Sequence, residues 1–325
     1  MLYIKGTKDF KLENTAVAVG KFDGFHKGHK LLIDAIESRR KEGLKAVIFT
    51  FDNHPNSVFS GKGFETIYTA EEKHIIAERL GADVLIEYPF TDETVHMEAE
   101  DFITEVLVKQ VGAKFIAVGD DFRFGSGRKG NAELIKKMAE SCGYEAFVTG
   151  KMTTVIPEGL DGYEPGSTVD ISSTLIRHSL KCGKIAFANE LLGRPYMISG
   201  TVVHGKHLGS RLLLPTINIL PAEDKCLPPE GVYTTKTFVE GKWYRSITNI
   251  GVNPTIEAGT KKHAETYLEG FSGDLYDKYA EIELYRFDRP EMHFDNIESL
   301  KEQMMKDKEH ALAYFSSDTE EDSIG

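Results

Sequence analysis

The sequence predicts an α/β protein in two parts: a doubly wound parallel sheet, then a small antiparallel β-barrel domain with a C-terminal helix. Three observations carry this. Strand-like apolar runs alternate with helical periodicity through the first half. Beyond "LLGRPY" (191–196) the pattern changes to short β-rich runs punctuated by Gly and Pro. The 325 residues exceed what one compact core usually serves.

In chain order, "AVAV" (16–19), "KAVIFTF" (45–51), "ADVLIEY" (82–88), "KFIAVG" (114–119) and "YEAFVTG" (144–150) read as strands rich in Val, Ile and Phe. Helical patterns fall between them at 29–42, 70–80, 98–110 and 131–142. A helical stretch near 172–192 leads to the joint at 191–196. After it come "MISGTVVHG", "GVYTTKTFVEGKWYRSITNIG", "HAETYLEG" and "YAEIELYRF", with "EGK" (240–242) as a hairpin turn. A closing helix spans 296–315, with Asn296 placed to cap it. The acidic end, "SSDTEEDSIG", reads as a frayed tail from 316 to 325. The predicted division is 1–186, 187–315 and that tail.

Composition narrows the function classes. Lys plus Arg is 39 and Asp plus Glu is 51, a net charge of −12. Long nucleic acids and anionic membranes need a basic face, so neither is expected as a partner. Three cysteines, Cys142, Cys182 and Cys226, lie far apart with no CxxC pair, which suits free thiols in a reducing cytoplasm. No apolar run approaches a membrane span.

The most informative stretch is "GKFDGFHKGH" (20–29), where the first long strand hands over to a helix. In a parallel sheet ligands sit at the carboxyl ends of strands. A helix beginning near His29 would offer unpaired N–H groups and partial positive charge, which makes an anion site. Gly20 and Gly24 permit a tight turn. His26 and His29 can donate from ring nitrogens to phosphate oxygens. Such a site holds a nucleoside triphosphate while a second phosphate attacks, so catalysis rests on positioning and on stabilising developing charge. The competing readings are a surface turn with two solvated histidines, and a zinc site for which no third ligand is signalled nearby.

"GKFDGFHKGH" resembles the G-x-F-D-G-x-H-x-G-H signature of the HxGH nucleotidyltransferases, and "ISSTLIR" (171–177) is similar to their second signature. "TFDNHP" (50–55), "PFTDE" (89–93), "VGDDFRFGSGRKGN" (118–131) and "LLGRPYMISGTVVHG" (191–205) extend the resemblance to the bacterial bifunctional riboflavin kinase/FAD synthetase family, in order and over nearly the whole chain. The resemblance implies riboflavin, FMN and ATP as partners, FAD as product and Mg²⁺ as cofactor. It implies that the first domain adenylylates FMN. His26, His29 and Arg177 would serve that catalysis. Gly20, Phe22, Gly24, Gly28, Ser172, Ser173 and Thr174 would bind ATP. Asp120, Phe122 and Arg123 would lie near the flavin. Read as residues, Ser172, Ser173 and Thr174 offer hydroxyls at a helix start, and Arg177 lies on the same helical face as Ser173. Of Phe122 and Phe124, at least one is expected to pack rather than stack on a ligand. His54 fits a flavin or phosphate contact or a buried structural role.

The second domain resembles the riboflavin kinase module. "GKHLGSRLLLPTIN" (205–218) aligns with its glycine-rich flap, with Lys206 toward ATP and Thr216 and Asn218 toward Mg²⁺. Hydroxyl and amide oxygens are hard ligands of the kind Mg²⁺ takes, and strand alternation aims both to one face. "HAETYLEGFSGDLY" (263–276) implies Glu265 as catalytic base; "NIGVNPT" (249–255) and "DRPEMHF" (288–294) imply flavin contacts at Asn249, Arg289 and Glu291. Departures from the family pattern cluster here: Ser210, Leu213, Leu214, Ile217, Asn253 and His293, with Arg211 placed to replace one lost cation. The expectation is an intact adenylyltransferase and an active but weakened kinase. The alternatives are an adenylyltransferase with a degenerate or regulatory kinase-like module, a transferase for another phosphorylated substrate, and a flavin-responsive RNA-binding protein.

Overall fold

In the computed structural model the apolar run near the N-terminus becomes a central strand, β2 (Thr15–Val19), buried at every position. The structure describes residues 1–52, 65–204, 216–255, 259–294 and 296–317, without the side chains of 253–255, 259–261, 297 and 317. His54, Lys206, Ser210, Arg211, Leu213 and Leu214 lie outside the described residues, as does the side chain of Asn253.

Two compact units emerge, residues 1–156 with 167–173, and residues 157–166 with 174–325. In the first, β1 (Leu2–Lys5), β2, β3 (Lys45–Phe51), β4 (Val84–Tyr88), β5 (Ala113–Gly119) and β8 (Glu145–Thr149) form a parallel sheet in the order β1-β4-β3-β2-β5-β8. Continuous Val/Ile runs mark strands covered on both sides. Val17, Val19, Val47, Phe49, Ile116 and Val118 share one core with Phe102, Ile103 and Val106 of the helical stretch that runs from Ala99–Asp101 (α3) into a π-helical turn series, Phe102–Gln110, and with Ile135 of α4 (Ala132–Cys142). The intervening Ala16, Ala18 and Ile48 face the other way. There α1 (Lys27–Ser38) packs on β2, β3 and β5 through Leu32, Ile33 and Ile36. The fold is the doubly wound sheet the alternation predicts. The edge strand β1 is the addition: four residues that pair in register with β4, Leu2 beside Val84.

Between β3 and β4 lies α2 (Ala70–Arg79), opened by a capping box in which Thr69 and Glu72 satisfy each other's backbone N–H groups. The two-residue strands β6 (Arg123–Phe124) and β7 (Gly130–Asn131) pair after β5, and β9 (Thr153–Val155) pairs with β10 (Thr168–Asp170).

In the second unit α5 (Ser173–Lys181) and α6 (Ile185–Leu192) are separated by a turn at Gly183, whose φ is 70°. The predicted division at 186 is not where compactness divides. From Thr174 on, the helices group with the barrel: Asn189 donates to the Leu284 carbonyl and accepts from the Tyr196 N–H, each at 2.8 Å, tying α6 to two barrel strands. The barrel is closed and antiparallel, in the order β11 (Tyr196–Val203), β12 (Thr216–Ile219), β15 (Gly259–Leu268), β14 (Lys242–Thr255), β13 (Gly231–Val239), β16 (Tyr279–Arg289). β13 and β14 meet through Glu240–Gly241, both left-handed at φ 49° and 78°, the two-residue hairpin expected at "EGK". The closing helix α7 (Ile297–Ser317) begins under Asn296, which accepts the Ser299 N–H at 2.8 Å. It takes in the first two residues of the predicted tail; 318–325 lie outside the described residues.

Both units carry tyrosines whose phenol resists ionisation. Burial raises the pKa of Tyr144, which donates to the Ile135 carbonyl at 2.6 Å, and that of Tyr233. Burial, then the hydrogen bond to Glu87, raises Tyr3. In the unfolded chain these groups ionise near pH 10 (about the free value). A folded pKa above the unfolded one means this stability is complete below about pH 10 and is lost as pH rises further. The melting temperature should therefore fall as pH rises above about 10, and the fall should be shallower in Tyr144→Phe. An identical alkaline slope in that variant would refute the assignment.

Candidate functional sites

Strand order reverses at β2, with β3 on one side and β5 on the other, so the crevice outside the carboxyl ends of β2 and β5 is where such a sheet places ligands. The loop 20–26 follows β2 and the loop 120–122 follows β5. The structure thus brings the first signature and "GDDFRFG" to neighbouring strand ends.

The β2–α1 loop is held on several sides. The Gly20 N–H donates to the Phe49 carbonyl at 3.1 Å, and Thr50 Oγ1 donates to the Lys21 carbonyl at 3.0 Å. Gly24 sits in the turn at φ 93°, between Phe22 and Phe25, both at φ 45° and both fully buried. Bulky side chains in that region each cost about 1–3 kcal/mol and persist where the surroundings impose them. Here ring packing imposes them: Phe22 stacks on Phe25 at 5.5 Å and leans on His29 at 5.0 Å, and His29 stacks on His26 at 3.7 Å. Phe22 therefore contributes beneath His29 rather than through surface of its own.

The helix starts earlier than the sequence suggests. α1 begins at Lys27, with His26 extended at the N-cap and its carbonyl accepting the Lys30 N–H at 3.0 Å. The first turn of α1 presents the N–H groups of Lys27, Gly28 and His29 at the end of the helix, and no acidic side chain sits in that turn. Gly28 lets the imidazole lie close: a Cβ there would stand 3.2 Å from the His26 ring, so the ring would have to shift by a few tenths of an ångström.

The two signatures meet at Asp23. Ser173 Oγ donates to the Asp23 carbonyl at 2.6 Å, and the Asp23 carboxylate accepts the Ile67 N–H at 3.0 Å. Asp23 is 4% exposed and was missed from the sequence, where an aspartate in an F-D-G turn reads as turn chemistry alone. Ser172 is half-buried in the same unit, whereas Thr174 and Arg177 belong to the second.

After β5, Asp120 is exposed and its N–H donates to the Thr149 carbonyl at 2.9 Å. Phe124 is in the core, and half-buried Phe122 stacks on it at 5.2 Å, so packing holds both rings. Arg123 is exposed, donating to the Phe122 carbonyl. Lys151 pairs with Asp170 at 3.0 Å and Asp121 at 3.5 Å; the hydrogen bond to Asp170, then the charge of Asp121, raises its pKa.

On the barrel, register assembles a second cluster. Asn218 of β12 and Asn249 of β14 both pair with Glu265 of β15. Thr216 Oγ1 donates to Glu265 Oε1 at 2.8 Å. Thr216 and Asn218 share the half-buried face of β12, while Ile217 points inward and is 6% exposed, so that departure from the family pattern faces the barrel core. Asn249 Nδ2 donates to Glu291 Oε1 at 3.0 Å. Arg289 is engaged within the unit, its Nε and Nη2 forked on Asp307 of α7 at 3.1 and 2.7 Å and its Nη1 on the Pro290 carbonyl. That fork fixes the strand end that carries Glu291. His293 is exposed.

Among the described residues no group of three or more His, Cys, Asp or Glu side chains could hold a metal ion. The oxygens of Thr216 and Asn218 fit a hard cation that takes its remaining ligands from water and phosphate. No described helix is long and apolar enough to cross a membrane.

Comparison with known proteins follows the same two-part division. A family model described as FAD synthetase matches residues 8–156, and one described as riboflavin kinase matches residues 192–315. The Escherichia coli (strain K12) protein named bifunctional riboflavin kinase/FMN adenylyltransferase is 34% identical over 306 residues, 93% of each chain. A Listeria monocytogenes protein of the same name is 32% identical over 306 residues, again 93% of each. A solved structure from Streptococcus pneumoniae, named a macrolide-efflux protein, superposes with a TM-score of 0.79 at 28% identity, covering 95% of this chain and 97% of that one.

Proposed function

The chain belongs to the bifunctional riboflavin kinase/FMN adenylyltransferase family, and from that premise we propose how its residues divide the work. It is a two-step flavin enzyme: riboflavin and ATP give FMN and ADP, then FMN and ATP give FAD and pyrophosphate. We assign adenylyl transfer to 1–186 and riboflavin phosphorylation to 187–315. The first boundary follows the signature at 171–177 rather than compactness.

In adenylyl transfer the FMN phosphate attacks the α-phosphorus of ATP and pyrophosphate leaves. No protein nucleophile is needed. The first-turn N–H groups of α1, with the imidazoles of His26 and His29, stabilise the charge that develops on the phosphates. Ser172, Ser173, Thr174 and Arg177 contribute from the second signature, Ser173 by fixing the Asp23 turn. Asp120, Phe122 and Arg123 line the flavin side. The observation that carries this reading is the meeting of both signatures at Asp23, beside the α1 N-terminus.

In phosphorylation Glu265 accepts the proton of the ribityl hydroxyl as that oxygen attacks the γ-phosphorus of ATP, the bond to the β-phosphate oxygen breaks and ADP leaves. Mg²⁺, held by Thr216 and Asn218, would neutralise phosphate charge. The Thr216 hydrogen bond orients the Glu265 carboxylate. Lys206 would reach the ATP phosphates, and Asn249 and Glu291 contact the flavin, Arg289 positioning the latter. The enzyme acts on small molecules in the cytoplasm, where its described cysteines stay free thiols.

Chromatography of products from riboflavin, ATP and Mg²⁺ reads both steps in one run. FMN should appear first and FAD later. FAD formed from added FMN, with none formed from riboflavin, would reduce the protein to its adenylyltransferase half.

A further inference from the structure

One group beside Glu265 has no role in the reactions so far. His263 is 8% exposed, its imidazole makes no hydrogen bond among the described residues, and its Nδ1 is shut off from solvent without a partner. Strand alternation puts His263 on the same face of β15 as Glu265 and Tyr267. The ladder sets it opposite Gly251. The space over Gly251 belongs to Glu291: a Cβ there would stand 2.4 Å from Glu291 Oε1, the oxygen that also accepts from Asn249. The imidazole therefore shares a two-strand strip with the carboxylates of Glu265 and Glu291 and the carboxamide of Asn249.

Buried polar groups in native proteins find partners, and an exception asks what supplies the missing one. The charge of the strip decides between ligand chemistries. Two carboxylates repel a phosphate. A hydroxyl can donate to either carboxylate and exchange a hydrogen bond with the imidazole. A chain of hydroxyls fits such a mixed set, and the flavin substrate carries one. We infer that His263 is a substrate-binding residue of the kinase centre, hydrogen-bonding a hydroxyl of the ribityl chain. The inference rests on reading this unit as the kinase. It separates His263 from the phosphate-handling residues and makes it a determinant of polyol recognition.

The test uses the full chain, with His263→Phe and His263→Leu as two replacements that keep bulk and remove both nitrogens. Riboflavin phosphorylation gives KM. Lumiflavin, which has the same ring and no ribityl chain, gives a Ki as competitive inhibitor. KM should rise about tenfold, one hydrogen bond's worth, while the lumiflavin Ki stays within about twofold. Retained lumiflavin binding and a wild-type melting profile of the same preparations report that the barrel unit is folded. A riboflavin KM unchanged in the folded variants would overturn the inference. So would a lumiflavin Ki rising in step with KM, since the residue would then merely pack. A wild-type chain that makes no FMN from riboflavin would fail at the kinase assignment instead, before any variant is compared.

Discussion

Glu265→Gln should lower the rate of riboflavin phosphorylation by about 10²–10⁴-fold, the range for loss of a general base, and leave FMN adenylylation at its wild-type rate. Glutamine keeps the shape, and its amide oxygen can still accept from Thr216, which donates to Glu265 Oε1 at 2.8 Å. The change therefore removes the proton acceptor and little else. Riboflavin's KM should move much less than kcat, because the contact strengthens as the proton transfers. Quenched-flow or steady-state FMN formation checks this. Unchanged kcat would mean that Glu265 is a structural strand residue and that another group takes the proton.

His29→Ala should slow FMN adenylylation by about 10²–10³-fold, the usual effect of removing one donor aimed at developing charge. Riboflavin phosphorylation by the same protein should be unaltered. His29 is chosen over His26 because it is the more exposed of the stacked pair and stands in the first turn of α1. A small loss of stability should accompany the change, since the ring also covers Phe22 at 5.0 Å. Adenylylation within twofold of wild type, in a variant that melts normally, would remove the imidazole from the mechanism and leave the helix N-terminus alone.

Much of the fold was legible because each signal is local. Val/Ile runs between helical periods give parallel strands, and the Glu240–Gly241 hairpin reads directly from its two turn residues. The α1 start was displaced by two residues because His26 is an unusual N-cap: it takes the extended conformation, yet its side chain makes no capping hydrogen bond. β1 escaped notice because "LYIK" is short and becomes a strand only against β4. The Arg289 fork on Asp307 was not legible, because it depends on where a helix later in the chain packs.

The sequence alone determined which chemical groups the protein carries and in what order, since a motif is a matter of neighbouring residues. Glycines and histidines where a strand hands over to a helix allow a phosphate site, and the further motifs along the chain favour that reading over a solvated turn. Tertiary structure decided which of those groups meet. Asp23 joins Ser173 across 150 positions, Thr216 joins Glu265 across 49, and strand register sets His263 opposite Gly251, the glycine that Glu291 covers. Such pairings depend on strand register and on which faces bury, both fixed by the whole chain packing at once.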